Sequence, residues 1–472
     1  MPDIILEIAQ RFHAAKYSIH IVGGTVRDSL LGRTVTPDTD LTTDATPDII
    51  KDIIAPTHPR AVSSVGERFG TVQIHYDDPT ASESDPDKTI ILEITTFRSE
   101  QYLSDSRKPD VVFGNNLEED LLRRDFTINA MAMDPLTGSI IDPFGGKIDL
   151  EAKIIRAVGN APKERFAEDP LRMLRAVRFA AQLGFTIESS TAKAIQSEAH
   201  TLQKISWERI RDEMCKILLS PRPAIGLRLA AELGLAQYFM PEMIYLQGVH
   251  QRPGHSKDVF EHTMRVVQNS PATLTSRWAA LLHDIAKPRT YSNENGQVHF
   301  FGHEDIGAIM AKDILRRLHF DKPFIEKISK IVKMHMRVNA YIPDWTDGAV
   351  RRMMLDAGEA LPELLTLSRA DITSYRQDKI LRASALSAEL DERCRKLREE
   401  SERVPIKSPL DGNELMQIFS RQPGPWIKEI KEHLLSLVID GALAPDDKEE
   451  AQRIADELLH NLPQSKSTPN VN

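Results

Sequence analysis

Two cysteines in 472 residues, Cys215 and Cys394, are too few for a disulfide framework. A reducing, cytoplasmic setting is therefore expected. No window approaches eighteen apolar residues, which predicts no membrane span. The opening MPDIILEIAQRFHAAK has no basic stretch ahead of its apolar residues, which predicts no secretory signal. Positive surplus is also missing. The formal net charge is −9, which argues against a general nucleic-acid binder but leaves room for basic residues clustered in one place. The acidic excess lies in polar tracts such as Asp77-Asp78, Glu83–Asp87 and Asp446–Glu450. What remains is an ordinary globular composition, 41% hydrophobic and 27% charged, in a chain long enough for about three domains.

The chain is organised around Ile19–Asp44, IHIVGGTVRDSLLGRTVTPDTDLTTD, which reads as strand, glycine turn, short helix, strand. The apolar run Ile19–Val22 ends in Gly23-Gly24. TVRDSLL follows, with Thr25 placed to cap the helix and Gly32 to stop it. Glycines ahead of a helix start let backbone N–H groups approach a triphosphate through Gly24, and Arg27, one turn in, is placed to meet a phosphate. On the next strand Asp38 and Asp40, two residues apart, share a face. Two such carboxylates repel unless a divalent cation lies between them, and Mg²⁺ on carboxylates and substrate phosphates is usual in nucleotide chemistry. Alone, the glycine pair reads equally as a tight turn and the aspartates as loop caps. In this order, GG-x-x-R-D and then D-x-D, they resemble the nucleotidyltransferase head of the class II tRNA nucleotidyltransferases (CCA-adding enzymes) and of bacterial poly(A) polymerases.

Around this centre, residues 3–16 carry apolar residues at helical spacing. TPDIIKDII reads as a helix with Thr46 as N-cap and Pro47 in the first turn. FGTVQIHY (69–76) and TIILEITTFR (89–98) read as strands. Glu93 shares a face with Thr95, and a lone glutamate there sits as readily on a solvated face. In the resembled family a third carboxylate on this strand completes the site, which makes Glu93 a candidate. SEQYLSDSRKPDVVFGNN (99–116) has no sustained periodicity and reads as a surface loop with Arg107, Lys108 and Pro109; the resemblance implies a flexible loop that helps move the site between nucleotides. LEEDLLRRDFTINAMAMD (117–134) opens as a helix whose acidic start and terminal Arg123 and Arg124 match the macrodipole. A helix leaves RRDFTINA unexplained. It matches the family's second motif, in which the Arg124 position contacts nucleotide phosphates.

From about Asp149 the pattern turns helical. Glu168-Asp169-Pro170 opens a strong helix, with proline tolerated in the first turn. Asp169, Arg172, Arg175 and Arg178 recur every three residues, above Leu171, Leu174, Val177 and Ala181 for the core. One acid followed by three arginines neutralises itself poorly, unlike a plain salt-bridged face, and it matches the family's E-D-x-x-R motif. The resemblance implies that Asp169 and Arg172 hydrogen-bond the edge of the incoming base. An aspartate accepts from the exocyclic amine that cytosine and adenine share, while an arginine donates to ring and carbonyl acceptors. Arg175 and Arg178 would serve nucleotide and phosphate contacts. SWERIRDEMCKILLS (206–220) is a further helix capped by Ser206. Its Arg209 and Arg211 fit surface charge as well as RNA backbone contact.

A second constellation begins near Val249. His262, His283-Asp284, His303, His335 and Asp371 lie on successive helical segments, and a His-Asp dipeptide inside a helix with other histidines and a distal aspartate has the composition of a metal site. It resembles the HD phosphohydrolase superfamily, whose ligands His262, His283, Asp284 and Asp371 match, with His303 and His335 as auxiliaries. Imidazole ligands point to Mn²⁺, Ni²⁺ or Zn²⁺ rather than Mg²⁺. Beyond residue 401, PLDGNELMQIF and QPGPWIKEIKEHLL read as short helices joined by Gly-Pro turns, and NLPQSKSTPNVN as a disordered tail.

These readings predict an α+β, multi-domain chain. A small mixed-sheet head spans 1–148, a helical nucleotide- and RNA-binding body 149–245, an HD domain 246–400 and a helical C-terminal region 401–472. The implied function is template-independent addition of CCA to tRNA from CTP and ATP, with Asp38 and Asp40 holding Mg²⁺ ions about 3.5–4 Å apart. Its rivals are a poly(A) polymerase or an A-only or CC-only enzyme on the same scaffold, an HD phosphohydrolase with an RNA-binding head, and a non-catalytic RNA-binding module.

Overall fold

A computed structural model describes residues 2–33, 38–63, 70–79, 88–101, 110–114, 116–250, 258–295, 297–373, 376–403 and 406–461. The chain divides into two compact units, Met1–Ile244 and Tyr245–Asn472. No helix among the described residues is long and apolar enough to cross a membrane.

The first unit opens with α1 (Asp3–Ala14), which buries Ile5, Ile8, Ala9 and Phe12 at helical spacing. β1 (Ile19–Val22), α2 (Gly24–Leu30), β2 (Thr39–Thr43), α3 (Pro47–Ile54), β3 (Ala61–Ser63), β4 (Thr71–Asp77) and β5 (Thr89–Thr96) follow. β6 (Arg98–Gln101) pairs with β7 (Asp110–Phe113); α4 (Leu117–Leu122), β8 (Ala132–Met133) and β9 (Ile140–Ile141) complete the head. The seven-stranded sheet has the order β3-β4-β5-β2-β1-β8-β9, with β2 and β5 parallel and every other neighbour antiparallel.

Strand periodicity sorts this sheet into two faces. Ile21, Leu41, Val72, Ile74, Leu92 and Ile94 share one core cluster with the buried faces of α1 and α3. The intervening positions Asp40, Gln73 and Glu93 emerge on the other face, so the core itself sets which side the carboxylates occupy.

The helical part of this unit comprises α5 (Gly146–Glu151), α6 (Pro162–Glu168), α7 (Leu171–Leu183), α8 (Ser189–Glu198), α9 (Trp207–Leu218), α10 (Pro223–Glu232) and α11 (Pro241–Ile244). In α7, Leu171, Leu174, Val177 and Ala181 are all buried, as their spacing predicts. The second unit comprises α12 (Val259–Asn269), α13 (Leu274–Leu282), α14 (Lys287–Thr290), the hairpin β12 (Ser292–Glu294) and β13 (Gln297–His299), α15 (His303–Arg317), α16 (Lys322–Asn339), α17 (Asp347–Ala357), α18 (Leu361–Ala370) and α19 (Gln377–Arg403). α20 (Gly412–Ile418), α21 (Pro425–Ile439) and α22 (Lys448–Asn461) then close around Leu415, Trp426, Ile430 and Leu434. The tail read as disordered lies outside the described residues from Leu462 on, and its first residue, Asn461, ends α22.

Several expectations are corrected. The cap of α2 is Gly23, not Thr25; its φ of 73° and ψ of −135° suit glycine, and Thr25 lies inside the helix. The stretch 99–116 is no plain loop, because β6 and β7 form a two-stranded ribbon there. Arg107, Lys108 and Pro109 lie outside the described residues. Glu168-Asp169-Pro170 opens α7 as expected, with Pro170 at its N-cap position, but Asp169 stands outside the helix that carries the arginines. Asp169 precedes a proline, is pushed to extended geometry (φ −137°, ψ 97°) and ends α6 before α7 begins. The chain after the head is not wholly helical. Ile154–Ile155 (β10) pairs with Thr186–Ile187 (β11), and Asn295, in left-handed geometry, turns the β12–β13 hairpin. His283-Asp284 does not sit inside a helix. α13 stops at Leu282, and Pro288 has no N–H to bond back to Asp284.

Gly146 tests how tightly α5 closes on the RRDFTINA segment. A Cβ there would stand 2.3 Å from the Thr127 carbonyl oxygen and 2.8 Å from Met131 Cγ. Gly146→Ala should destabilise the first unit by about 1–3 kcal/mol. Urea titration checks this, and a variant as stable as wild type would show that the backbone there yields freely.

Candidate functional site

The first unit contains a cavity of about 510 Å³ between the sheet and α7. The Gly23-Gly24 turn, Asp40, the exit of α4 and one side of α7 line it. Seven arginines, Arg27, Arg123, Arg124, Arg172, Arg175, Arg178 and Arg209, face three aspartates, Asp40, Asp125 and Asp169. A protein of net charge −9 thus concentrates positive charge in one place.

Phe179 organises three of these cations. The guanidinium carbons of Arg27, Arg175 and Arg178 stand 5.2, 5.5 and 4.5 Å from its ring centre. Each also has a counter-charge. Arg27 bonds Asp28 and, through Nη1, Asn129 Oδ1 at 2.8 Å. Arg175 Nε donates to Asp125 Oδ2 at 2.7 Å, and Arg178 Nη1 to Glu213 Oε1 at 2.9 Å. Burial would raise the Asp125 pKa. The charge of Arg175, bonds from Asn129 and Arg175 and the charge of Arg172 outweigh it and hold that carboxyl at about 2. Burial lowers the pKa of Arg178, opposed by Glu213.

Of the predicted carboxylates Asp40 lines the cavity, and Asp38 and Glu93 lie near enough to act on its charge. Asp38 is exposed immediately ahead of β2, and Asp40 pairs in register with Glu93 on β5. Glu93 accepts from Gln73 Nε2 at 2.9 Å. Asp40 keeps solvent access although protein crowds it on most sides. That crowding raises its pKa; Arg124 opposes the rise, and Glu93 and Asp38 add to it. A Cβ on Gly23 would meet Arg124 Nη1 at 3.2 Å and Asp40 Oδ2 at 3.5 Å, so the glycine makes room for the carboxylate and the arginine together. Gly24 lines the cavity next to Arg27.

Arg124 is held by buried Asp120 at 3.4 Å, while Arg123 is held by the same carboxylate at 2.7 Å. Arg124 Nε and Arg178 Nε are buried with no hydrogen-bond partner among the described residues. The predicted base-reading pair also lines the cavity, with partners of its own. Asp169 accepts from Leu171 N at 3.2 Å and Arg209 Nη2 at 3.0 Å. A carboxylate has about four acceptor sites, so capacity for an amine remains. Arg172 donates to Glu168, to Arg165 O and to Arg123 O, which fixes its guanidinium.

The second unit brings its six predicted residues together. His262 Nε2 stands 3.0 Å from Asp371 Oδ1 and 3.4 Å from Asp284 Oδ2, with His283 Nε2 3.2 Å from the same Asp284 oxygen. The other oxygen of Asp284 lies 3.4 Å from His303 Nε2 and 3.8 Å from His335 Nε2. Asp284 therefore stands between two groups with ligand atoms close enough for one ion each, His262–His283–Asp284 and Asp284–His303–His335. Three histidines bond Nδ1 to a backbone carbonyl, His283 to Ala280, His303 to Phe300 and His335 to Val332. His262 Nδ1 meets the Thr373 hydroxyl at 2.8 Å. With Nδ1 occupied, Nε2 is the atom offered to a metal. Burial lowers His335 to about 4, with His283 adding to the effect, so its ring is neutral as a ligand must be. Burial would lower His262 too, but Asp284 and Asp371 raise it to about 9.

Sequence reasoning did not single out Asp125, Asn129, Phe179, Glu213 or Lys287 as functional. Asp125 and Asn129 lie within RRDFTINA, where the polar residues inside an apolar segment were a usable signal. Phe179 has the apolar character of its buried neighbours on α7, and Glu213 faces Arg178 only through the tertiary packing of α9 on α7.

A nucleotide-sized arginine cavity edged by carboxylates, in a unit separate from a histidine-rich centre, defines a nucleotidyltransferase joined to an HD-type metal domain. Family models match in the same order. The poly A polymerase head domain matches residues 19–156, the probable RNA and SrmB-binding site of polymerase A residues 184–246, and the HD domain residues 254–376. A CCA-adding enzyme of Geobacillus sp. (strain WCH70) is 31% identical over 463 residues, covering 96% of both chains. An A-adding tRNA nucleotidyltransferase of Deinococcus radiodurans is 35% identical over 67% of this chain and 74% of that protein. The crystal structure of the Bacillus stearothermophilus CCA-adding enzyme with CTP matches with a TM-score of 0.69 and 28% identity over 97% of each chain. The chain belongs to the family of CCA-adding enzymes and related tRNA nucleotidyltransferases.

Asp125 gives a pH test. A carboxyl near 2 when folded and near 4 when unfolded contributes stability above about pH 4 that is lost as pH falls toward 2. Asp125→Asn should be about 2 kcal/mol less stable than wild type at pH 6, and the gap should narrow below pH 4. Denaturant titration across this range checks it; a gap independent of pH would contradict the assignment.

Proposed function

We propose that this chain extends tRNA 3′ ends with CCA, taking C from CTP and A from ATP and releasing pyrophosphate. The observation that carries the reading is Asp40 at the edge of the arginine cavity, in register with Glu93 on the neighbouring strand. The near full-length similarity to a CCA-adding enzyme, and the similarity to one crystallised with CTP, support it. Burial raises the Asp40 pKa and the charges of Glu93 and Asp38 add to the rise, which a divalent cation beside them would offset. Asp38, Asp40 and Glu93 would hold Mg²⁺, which when bound screens the phosphates and favours an ionised 3′-hydroxyl.

The remaining work falls to the chain's own side chains. Gly24, Arg27, Arg124, Arg175 and Arg178 bind and orient the nucleotide and its triphosphate, with Arg124 supplying positive charge beside the carboxylates. Asp169 and Arg172 read the base. Cytosine and adenine both offer an exocyclic amine to Asp169, whereas uracil or guanine would leave buried groups unpaired. The tRNA 3′-oxygen bonds to the α-phosphorus as its bond to the β-phosphate oxygen breaks, and the hydroxyl proton leaves to solvent. Position and charge do most of this work. With two cysteines in 472 residues this chemistry suits a reducing cytoplasm.

The HD centre supports a second activity. His262, His283, Asp284 and Asp371 would hold Mn²⁺, Ni²⁺ or Zn²⁺, with His303 and His335 joining Asp284 in the second group. Such a centre suits phosphoester hydrolysis: water oxygen bonds to phosphorus, the ester P–O bond breaks, and the leaving ribose oxygen takes a proton. A cyclic phosphate at an RNA end masks the hydroxyl that the head needs, so its removal would serve the same pathway.

Asp40→Ala should reduce incorporation of labelled CTP and ATP to below about a tenth of the wild-type rate, with tRNA binding little changed. Retention of more than that would remove Asp40 from the reaction. His283→Ala should leave CTP and ATP addition intact and lower the transition metal retained after dialysis. Equal metal content in both proteins would make the HD cluster a structural feature.

A further inference from the structure

Asp120, on α4, is wholly buried and is not among the residues that line the nucleotide cavity, yet it carries the charge that holds Arg124. Arg123 Nε donates to its Oδ1 at 2.9 Å. Arg124 Nη2 and Thr42 Oγ1 donate to its Oδ2 at 3.4 and 3.2 Å. Thr42 lies on β2 two residues beyond Asp40, so one strand presents Asp40 and anchors Asp120. Burial would raise the Asp120 pKa, but the charges of Arg123 and Arg124 bring it below the usual carboxylate range and keep it ionised at neutral pH.

The guanidinium of Arg124 is divided between two acids. Nη2 bonds Asp120, while Nη1 is turned toward Gly23, where an added Cβ would meet it at 3.2 Å and Asp40 Oδ2 at 3.5 Å. Gly23 has no side chain to separate them. Burial raises the Asp40 pKa and the charge of Arg124 opposes the rise, but the ion pair of Arg124 is with Asp120. A guanidinium that closed on Asp40 would occupy the oxygens that a divalent cation needs.

We propose that Asp120 is a positioning residue that holds Arg124 off Asp40 and so keeps that carboxylate open to a divalent cation. The inference rests on the reading of Asp40 as a metal ligand and adds what keeps the ligand available. Without the charge of Asp120, Arg124 turns to the nearest remaining carboxylate, Asp40, and competes with the cation for it. With that charge in place, Arg124 stays beside the metal ligands without pairing with them.

The test measures Mn²⁺ binding to the full chain, with α,β-methylene-CTP present, by loss of the free-ion electron paramagnetic resonance signal. Binding that disappears in Asp40→Ala belongs to the head, which separates it from ions held by the HD centre. Asp120→Asn should bind this Mn²⁺ about tenfold more weakly than wild type, because a cation and a guanidinium then contend for one carboxylate at contact distance. The Mg²⁺ concentration that half-saturates CTP addition should rise by a similar factor, and saturating Mg²⁺ should restore most of the lost rate, which a disordered site would not allow. In an Arg124→Gln background, adding Asp120→Asn should change Mn²⁺ affinity by less than about twofold, since nothing is left to close on Asp40. An undiminished loss in that background means that Asp120 acts by its own field, and it overturns the proposal, as does equal affinity in Asp120→Asn and wild type. Should Asp120→Asn not fold, Thr42→Val, which keeps the buried charge but removes one of its anchors, decides: a weakening of about two- to threefold supports the proposal and an unchanged affinity overturns it. If Asp40→Ala binds Mn²⁺ as wild type does, the metal-ligand reading fails and the proposal falls with it; Asp40-dependent binding that ignores Asp120 sinks the proposal alone.

Discussion

Three guanidinium groups gathered on one phenyl ring are the constraint on which the first site depends. Like charges this close require compensation, and the chain supplies it from three directions: Asp28 beside Arg27, Asp125 below Arg175 and Glu213 behind Arg178. Phe179 keeps the cations apart and gives each a face to rest on. Asp125 and Asn129 then tie α7 to the RRDFTINA segment and, through Arg27, to α2. The cations are placed before any nucleotide arrives. Little reorganisation is needed when charge develops, which is where electrostatic catalysis gains most.

The carboxylate edge follows from the core rather than from local sequence. Leu41 and Leu92 face α1 and α3, which sends Asp40 and Glu93 to the opposite face in the same register. The parallel pairing of β2 with β5 is what brings them side by side. The second centre uses other means. Its donors come from helices and helix ends distant in sequence, with His283 and Asp284 in the turn between α13 and α14, and backbone carbonyls orient three of its imidazoles. Oxygen donors in one unit and mixed nitrogen and oxygen donors in the other suit different ions, so the two centres need not compete for metal.

Much of this was legible in the sequence, wherever chemistry and periodicity coincided. The i, i+2 aspartates, the three-residue arginine spacing of α7 and the His-Asp dipeptide all fell into clusters. Glu93 was a candidate through the family resemblance, and its register opposite Asp40 is set by the pairing of β2 with β5. What escaped was set by tertiary context or by one local rule overridden by another. Asp169 could not continue a helix because Pro170 follows it, and this breaks the stripe at its first member. Gly23, not Thr25, governs the turn because of a backbone angle that no side-chain propensity reveals. Phe179 had the spacing of a core residue and is one, yet its ring also carries the arginines. The hairpin turned at Asn295 had a readable Asn-Gly signal between two polar strands too short to announce themselves.

The central claim is that one cavity selects both C and A and adds them in order. The direct measurement is sequencing of the products formed by wild-type protein, CTP and ATP on three tRNA substrates, lacking CCA, CA and A. The account predicts that all three end in a single complete CCA. Addition of A only to the tRNA already ending in CC, or a growing run of A, would contradict it.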